Sequence, residues 1–330
     1  MTAHKDFKRI IRERQQKTGE SYTAARAHLL RERSDSHDSA SPECLPQPAL
    51  RVDAAVLKVN RQSARVRIAG EEGQVTFRSP DIWQVAPGHW VGLVIEKRWI
   101  WKGDDYASGR IESVRIDVEK LGLTPLPLTG GELEDLRTPY EPYRRPDPYT
   151  SLWRKLTAQA RAGFVMDPIA WGAFPGADDD DHPTCDASEL AAAGDYEGAL
   201  ELLMKVLGTD LRCIDAHAHL GTLEFDHAPK RAIVHYEIGI RIGELSLPPA
   251  FDGVLLWGHI YNRPFLRCLH GYGLCLWRLG RLKEAQQVFE RILALNPNDN
   301  QGVRFCREDV RHGRSWEEAQ ALEKQESTLH

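Results

Sequence analysis

The hydrophobic and polar positions of this chain change their period along its length. Between residues 51 and 120 apolar residues recur at every second place. Ala64, Val66 and Ile68 alternate with Arg65 and Arg67, Val75 leads to Phe77, and Val91, Leu93 and Ile95 follow a Pro87-Gly88 turn. Ile111, Val114, Ile116 and Val118 close the block. Period two marks half-buried strands. With a first strand near Val52–Val59, the block predicts about five short strands.

Downstream of residue 188 the period is helical. Four alanines serve as a ruler: Ala199, Ala232, Ala285 and Ala319. Ala285 and Ala319 are 34 residues apart, and Ala199 and Ala232 are 33 apart. The one-residue shortfall is expected at the Phe225–Pro229 turn. A longer gap before Ala285 predicts an insert at 244–263, rich in Phe251, Leu255, Leu256, Trp257, Ile260 and Tyr261. Such a composition predicts a segment packed on the helices. Between the two blocks, residues 121–187 read as a Pro/Tyr-rich connector with a helix at 151–162 and a solvated acidic loop at Asp178–Asp181. Residues 1–33 read as a basic helical hairpin, and 34–50 as a Ser/Asp/Pro-rich flexible linker.

The fold class expected from these patterns is multidomain α+β. A small OB- or SH3-like barrel at 51–120 precedes an all-α array of helical hairpins at 188–330.

One unit of the array is specific. From Leu266 to Pro297 the residues Gly273, Gly280, Ala285, Phe289 and Pro297 stand at the spacing of the tetratricopeptide repeat, which this stretch resembles. Gly194 and Leu203 around Ala199, and Leu220, Gly221 and Tyr236 around Ala232, extend the resemblance across roughly 188–325. His217 and Leu269 replace the usual Trp, and Gly239 and Ile292 replace the usual second small residue. The resemblance implies stacked helix pairs whose first helices line a groove that holds a protein or peptide. By position it assigns Arg267, His270, Leu274, Trp277, Arg304 and Arg311 to that groove. The Lys/Asn set that clamps a terminal carboxylate in chaperone-binding members does not stand at the matching positions. Asn296–Arg304 (NPNDNQGVR) also resembles the closing segment of a group of bacterial repeat proteins, several of which carry an N-terminal β domain.

Composition narrows the function. The chain has 330 residues and a formal net charge of −5, which argues against nucleic-acid binding over its whole surface but permits a local basic patch. Its six cysteines form no CxxC pair and read as reduced thiols of a cytoplasmic protein. Neither a secretory signal nor a membrane span is expected.

Two motifs invite chemistry. Cys213–Leu220 resembles the IDxHxH metal motif of amidohydrolases, but the repeat register puts His217 and His219 on a helix, about 200° apart, where they do not share an ion. Cys268, Cys275, His235 and His270 match no zinc spacing and read as buried side chains. No catalytic residue, metal or cofactor is therefore expected. In the barrel, Arg65, Arg67, Lys97, Trp99 and Trp101 combine charge with stacking surface, as a single-stranded nucleic-acid face requires. The leading expectation is a non-enzymatic protein-binding scaffold. The alternative is a factor associated with RNA through its barrel.

Overall fold

The computed structural model describes residues 50–134, 136, 149–168 and 183–328. The expected hairpin at 1–33, the linker before Leu50 and the Asp178–Asp181 run lie outside the described residues.

Strands β1 (Leu50–Asn60), β2 (Ser63–Ile68), β3 (Val75–Arg78), β4 (His89–Trp101) and β5 (Asp104–Ile116) close a barrel in the order β1-β2-β3-β5-β4. Every pairing is antiparallel except β3 with β5. That order, with its parallel closure, is the OB arrangement rather than the SH3-like one. Alternation fills the interior with Val56, Val66, Ile68, Phe77, Leu93 and Ile95. β1 departs from alternation because it is covered on both sides. Ala54 and Val56 face the barrel core, while Ala55 between them joins the core of the helical array.

The connector carries more structure than its prolines suggest. Helix α1 (Tyr149–Leu156) overlaps the stretch read as 151–162 but begins two residues earlier and ends at 156, and the chain then turns into a strand, β7 (Arg161–Met166). β7 pairs with β6 (Leu128–Glu134), and Gly163 bridges Val254 of the insert. Both partners are remote in sequence, so no local period announces them.

Eight further helices follow in four pairs. α2 (Pro183–Ala192) with α3 (Tyr196–Thr209), α4 (Ile214–Phe225) with α5 (Pro229–Glu244) and α6 (Arg263–Arg278) with α7 (Leu282–Leu295) are packed hairpins. In the fourth pair α8 (Val303–Arg311) packs on α7, and α9 (Trp316–Thr328) reaches α6 instead of lying along α8. The alanine ruler falls at one structural place in all four. The N–H groups of Ala199, Ala232, Ala285 and Ala319 donate to Asp195, Ala228, Arg281 and Ser315, each four residues back, at 3.0–3.1 Å. The first three alanines are fully buried, and Ala319 in the outermost pair is half-buried.

Three of the turns within pairs use Gly194, Gly280 and Gly313 at positive φ. The next residue's N–H then reaches back five residues, from Asp195 to Leu190, Arg281 to Leu276 and Arg314 to Asp309. The α4–α5 turn has no such glycine, and Asp226 stays right-handed. The one-residue shortfall falls between Gly221 and Ala232, which are 11 apart where Gly273 and Ala285 are 12 apart.

Within the hairpins, small residues receive aromatic rings. A Cβ on Gly221 would stand 2.6 Å from Tyr236, and one on Gly273 would stand 2.5 Å from Phe289. Phe289 is fully buried, which contributes about 2–3 kcal/mol of transfer free energy. Leu220 and Leu203 are likewise buried. The Pro297 carbonyl, past the end of α7, accepts the Tyr149 hydroxyl at 2.6 Å and so ties α1 to the array.

The insert rests on the end of α7. Leu255 N–H donates to Leu295 O, and Trp257 N–H donates to Asn296 Oδ1. Arg161 donates to the carbonyls of Asp252, Gly253 and Ala294 at 2.6–2.9 Å. Ile260–Asn262 adjoins the start of α6, and Trp257 reaches it too, its carbonyl accepting Arg263 Nε at 3.1 Å. The barrel meets the array through Ala55, Ala86 and Trp90, and a Cβ on Gly88 would stand 2.6 Å from Ile238 of α5.

Candidate functional site

The groove face of the array is built from the first helices of the hairpins. Counting six residues back from Gly221 and from Gly273 reaches Asp215 and Arg267, the same place in successive repeats. They pair across the groove at 3.0 Å. Burial of Asp215 opposes its ionisation, but bonds from His219 and Thr184 and the charge of Arg267 outweigh it. The carboxyl is held below its usual range. His219 Nε2 lies 3.5 Å from Asp215, and its Nδ1 lies 3.0 Å from Ser188 Oγ. Arg267 is 43% exposed and lies 5.9 Å from the Trp257 ring.

Beside this pair opens a pocket of about 270 Å³. Leu126, Met166, Ile214, Pro264 and Phe265 form apolar walls, with Ile260 and Tyr261 on the rim and Asp215, Arg267 and Thr184 at the polar side. Tyr261 is 46% exposed and Ile260 is 57% exposed. Such a mixture seats an apolar side chain and leaves Arg267 for a polar or acidic neighbour, while Arg212, which also lines the pocket, is held by Asp210 at 2.7 Å.

The structure distributes the other groove residues expected from the family pattern. His270 is largely enclosed, its Nδ1 lies 3.4 Å from Gln301 Nε2, and burial lowers its pKa to about 4. Leu274 is half-buried in the array core. Trp277 is buried rather than presented: its Nε1 donates to Arg314 O at 2.9 Å, and Trp316 crosses it edge-on at 5.1 Å. Trp316 also meets Phe225, so the start of α9 covers this end of the groove. Arg304 pairs with the buried Asp299 at 2.7 Å and is only 16% exposed. Arg311 is exposed and pairs with Glu308 at 2.7 Å. Sequence reading missed Asp215 and Trp316, although the count that locates Arg267 locates Asp215 as well.

The motif residues occupy structural places. His217 and His219 both lie on α4, and their rings bond different partners: His217 Nε2 is 3.0 Å from Leu211 O. Burial pushes the thiols of Cys213 and Cys275 up to about 12 and that of Cys268 well above its usual range.

A second surface lies on the barrel. Register places Arg65, Thr76, Tyr106 and Trp99 side by side across β2, β3, β5 and β4. Trp99 and Tyr106 stack at 5.7 Å and 14°. Arg78 lies 6.0 Å from the Trp99 ring and 5.4 Å from that of Tyr106. Trp101, 56% exposed, meets Tyr106 edge-on at 6.2 Å, with Lys102 at 4.6 Å from its ring. Lys97 is exposed on the same strand, two residues before Trp99. Arg65 donates to Thr76 Oγ1 at 2.8 Å and lies 3.7 Å from Asp104. Arg67 stands apart, donating to Leu121 O at 2.7 Å. Arg98 is engaged by Glu71 and Asp105. Trp90 is buried against the array.

The tetratricopeptide repeat family profile matches residues 266–299, the segment that folds as α6, α7 and the turn after them. No curated protein and no solved structure matches the chain. Among the described residues no helix is long and apolar enough to cross a membrane, and no cluster of three or more His, Cys, Asp or Glu side chains is arranged to hold a metal ion.

Proposed function

We propose that this chain is a non-enzymatic cytoplasmic scaffold that holds a protein partner through the groove of its repeat array. The observation that carries the reading is the pocket beside Asp215 and Arg267, formed where α2, α4 and α6 begin. Equivalent positions of neighbouring repeats meet there, with apolar walls and Arg267 half-exposed. A peptide that inserts an apolar side chain and sets an acidic or polar group on Arg267 suits that lining. The non-enzymatic part is supported by the motif residues: the thiols are buried, and the rings of His217 and His219 are bonded apart. Resemblance of Asn296–Arg304 to the closing segment of bacterial repeat proteins with an N-terminal β domain supports placing the chain in that group.

The test compares variants in affinity purification from the native host, with and without nuclease. A partner recovered by the parent chain in both conditions, lost with Tyr261→Ala and Arg267→Ala and kept with Trp101→Ala, supports the scaffold. Recovery that ignores both groove substitutions defeats it.

A second reading rests on the stacked Trp99–Tyr106 pair beside exposed Trp101, which offers successive ring faces to unpaired bases. Arg65, Lys97 and Lys102 would meet the phosphates. Anisotropy of labelled single-stranded RNA on the full chain should rise steeply as salt falls, and Trp101→Ala should abolish the rise. A flat signal at low salt removes this reading.

A further inference from the structure

Where the barrel meets α3 a second cavity opens, about 240 Å³ in volume. Its lining includes Leu57, Lys58, Arg65, Gln74, Lys205 and Thr209, so three cations and no carboxylate border it. A bulge in β1 creates this arrangement. The β1–β2 register runs through Val56↔Val66 and then shifts, so that Lys58 stands opposite Arg65. An unbroken register would have set Leu57 there. The bulge instead frees Leu57 to join the hydrophobic clusters of the array.

Directly opposed residues of an antiparallel pair share a face with Cβ atoms about 5 Å apart, and like charges so placed destabilise the sheet. Arg65 is partly compensated by Asp104 at 3.7 Å. Lys58 and Lys205 make no ion pair among the described residues. Lys205 lies on α3 ahead of its last turn and is exposed. Lys58 is half-buried. A Cβ on Gly208 would lie 3.7 Å from Lys58 Cδ, an ordinary contact distance, so the lysine stem runs alongside the helix. The bulge thus brings a cation without an ion pair, Lys58, opposite Arg65, and α3 adds a third cation, Lys205.

We propose that this cavity binds a phosphoryl group, whose negative charge offsets the Lys58–Arg65–Lys205 cluster while the Gln74 amide supplies a further donor. The group is either a small phosphate compound or a phosphodiester of single-stranded nucleic acid, and the site stands independently of the peptide groove.

Isothermal titration of the full chain tests it, with inorganic phosphate in one arm and a short oligothymidylate in the other. The expected result is saturable one-to-one phosphate binding. Lys58→Gln and Lys205→Gln should each weaken it at least about tenfold through loss of a charge-assisted contact. Lys58→Arg should retain it, and Lys283→Gln, exposed on α7 and outside the cavity lining, should leave it unchanged. If the oligonucleotide binds, competes with phosphate and is lost in Lys58→Gln, the source is a phosphodiester. If phosphate alone binds, the source is a small phosphate compound and the RNA reading fails while the site stands. Binding of neither ligand, or equal affinity in a folded Lys58→Gln variant, overturns the proposal. The Tm supplies an independent measure: without phosphate, Lys58→Gln should raise it by relieving the opposed charges, and an unchanged or lower Tm also counts against the site.

Discussion

The ring of Tyr236 lies so close to Gly271 of the next hairpin that a Cβ there would stand 2.2 Å from its Cζ. The same ring fills the space above Gly221 in its own hairpin, and its hydroxyl lies 3.2 Å from Thr222 Oγ1. One side chain therefore sets the distance between successive repeats. Gly271→Ala should destabilise the chain by about 3 kcal/mol, because a buried, hydrogen-bonded ring has little room to yield. Gly258→Ala is the control, with nothing within 4 Å of an added Cβ and an expected change within about 0.5 kcal/mol. Urea unfolding of both variants measures the difference.

Asn262 should prove equally sensitive for a different reason. It is fully buried, accepts Met166 N–H at 2.9 Å and donates to Phe164 O and Leu256 O at 2.9 and 3.1 Å. Asn262→Ala leaves these groups of β7 and the insert without partners, at a cost of about 3–5 kcal/mol. Faster hydrogen exchange confined to β7 and the insert would be the local signature.

Acid should weaken the fold well above the carboxylate range. Burial lowers the pKa of His89, His217 and His270 to about 4, and of His235 to about 3. For His235 the charges of His217, His89 and Arg231 add to the burial. His217 Nδ1, His235 Nδ1 and His270 Nε2 have no hydrogen-bond partner among the described residues. The unfolded chain takes up protons at these rings near the ordinary value of 6.5, while the folded chain resists until about 4. More protons in the unfolded state means that stability falls as pH drops through that window. Unfolding free energy measured across it should decline steadily, and a flat profile would contradict buried neutral imidazoles.

Thiol chemistry should separate the described cysteines. Cys185 is exposed, whereas Cys213, Cys268 and Cys275 are buried and held protonated by that burial. The thiolate is the reacting species, so a maleimide should label Cys185 readily under native conditions and spare the other three until the chain unfolds. Peptide mapping by mass spectrometry reads the order. Rapid native labelling of Cys213 or Cys275 would reopen the thiol chemistry that their burial argues against.

Legibility followed the range of the interactions concerned. The four alanines were readable because a helical hairpin repeats a short-range contact at a fixed interval, and each is the fourth residue of its second helix. Barrel strands were readable because their inner residues alternate. Strand β7 was not, since its partners are β6 and Val254, and nothing in Arg161–Met166 refers to either. Of the residues assigned to the groove, Arg267 stands beside Asp215 of the preceding repeat, whereas Trp277 is covered by Trp316 from the following helix pair. A family pattern places a residue within its own repeat and is silent about a neighbour's side chain.

By itself, the order of residues determined that a small barrel precedes stacked helix pairs, and where each pair begins. Those properties depend on periodicity and on small residues a few positions apart, which any chain of this pattern carries with it. Tertiary structure alone decided that β3 closes the barrel against β5 in parallel, that Asp215 faces Arg267, and that a bulge turns Lys58 toward Arg65. Each joins residues from separate elements, and each is settled by register and packing that come into being only when those elements meet.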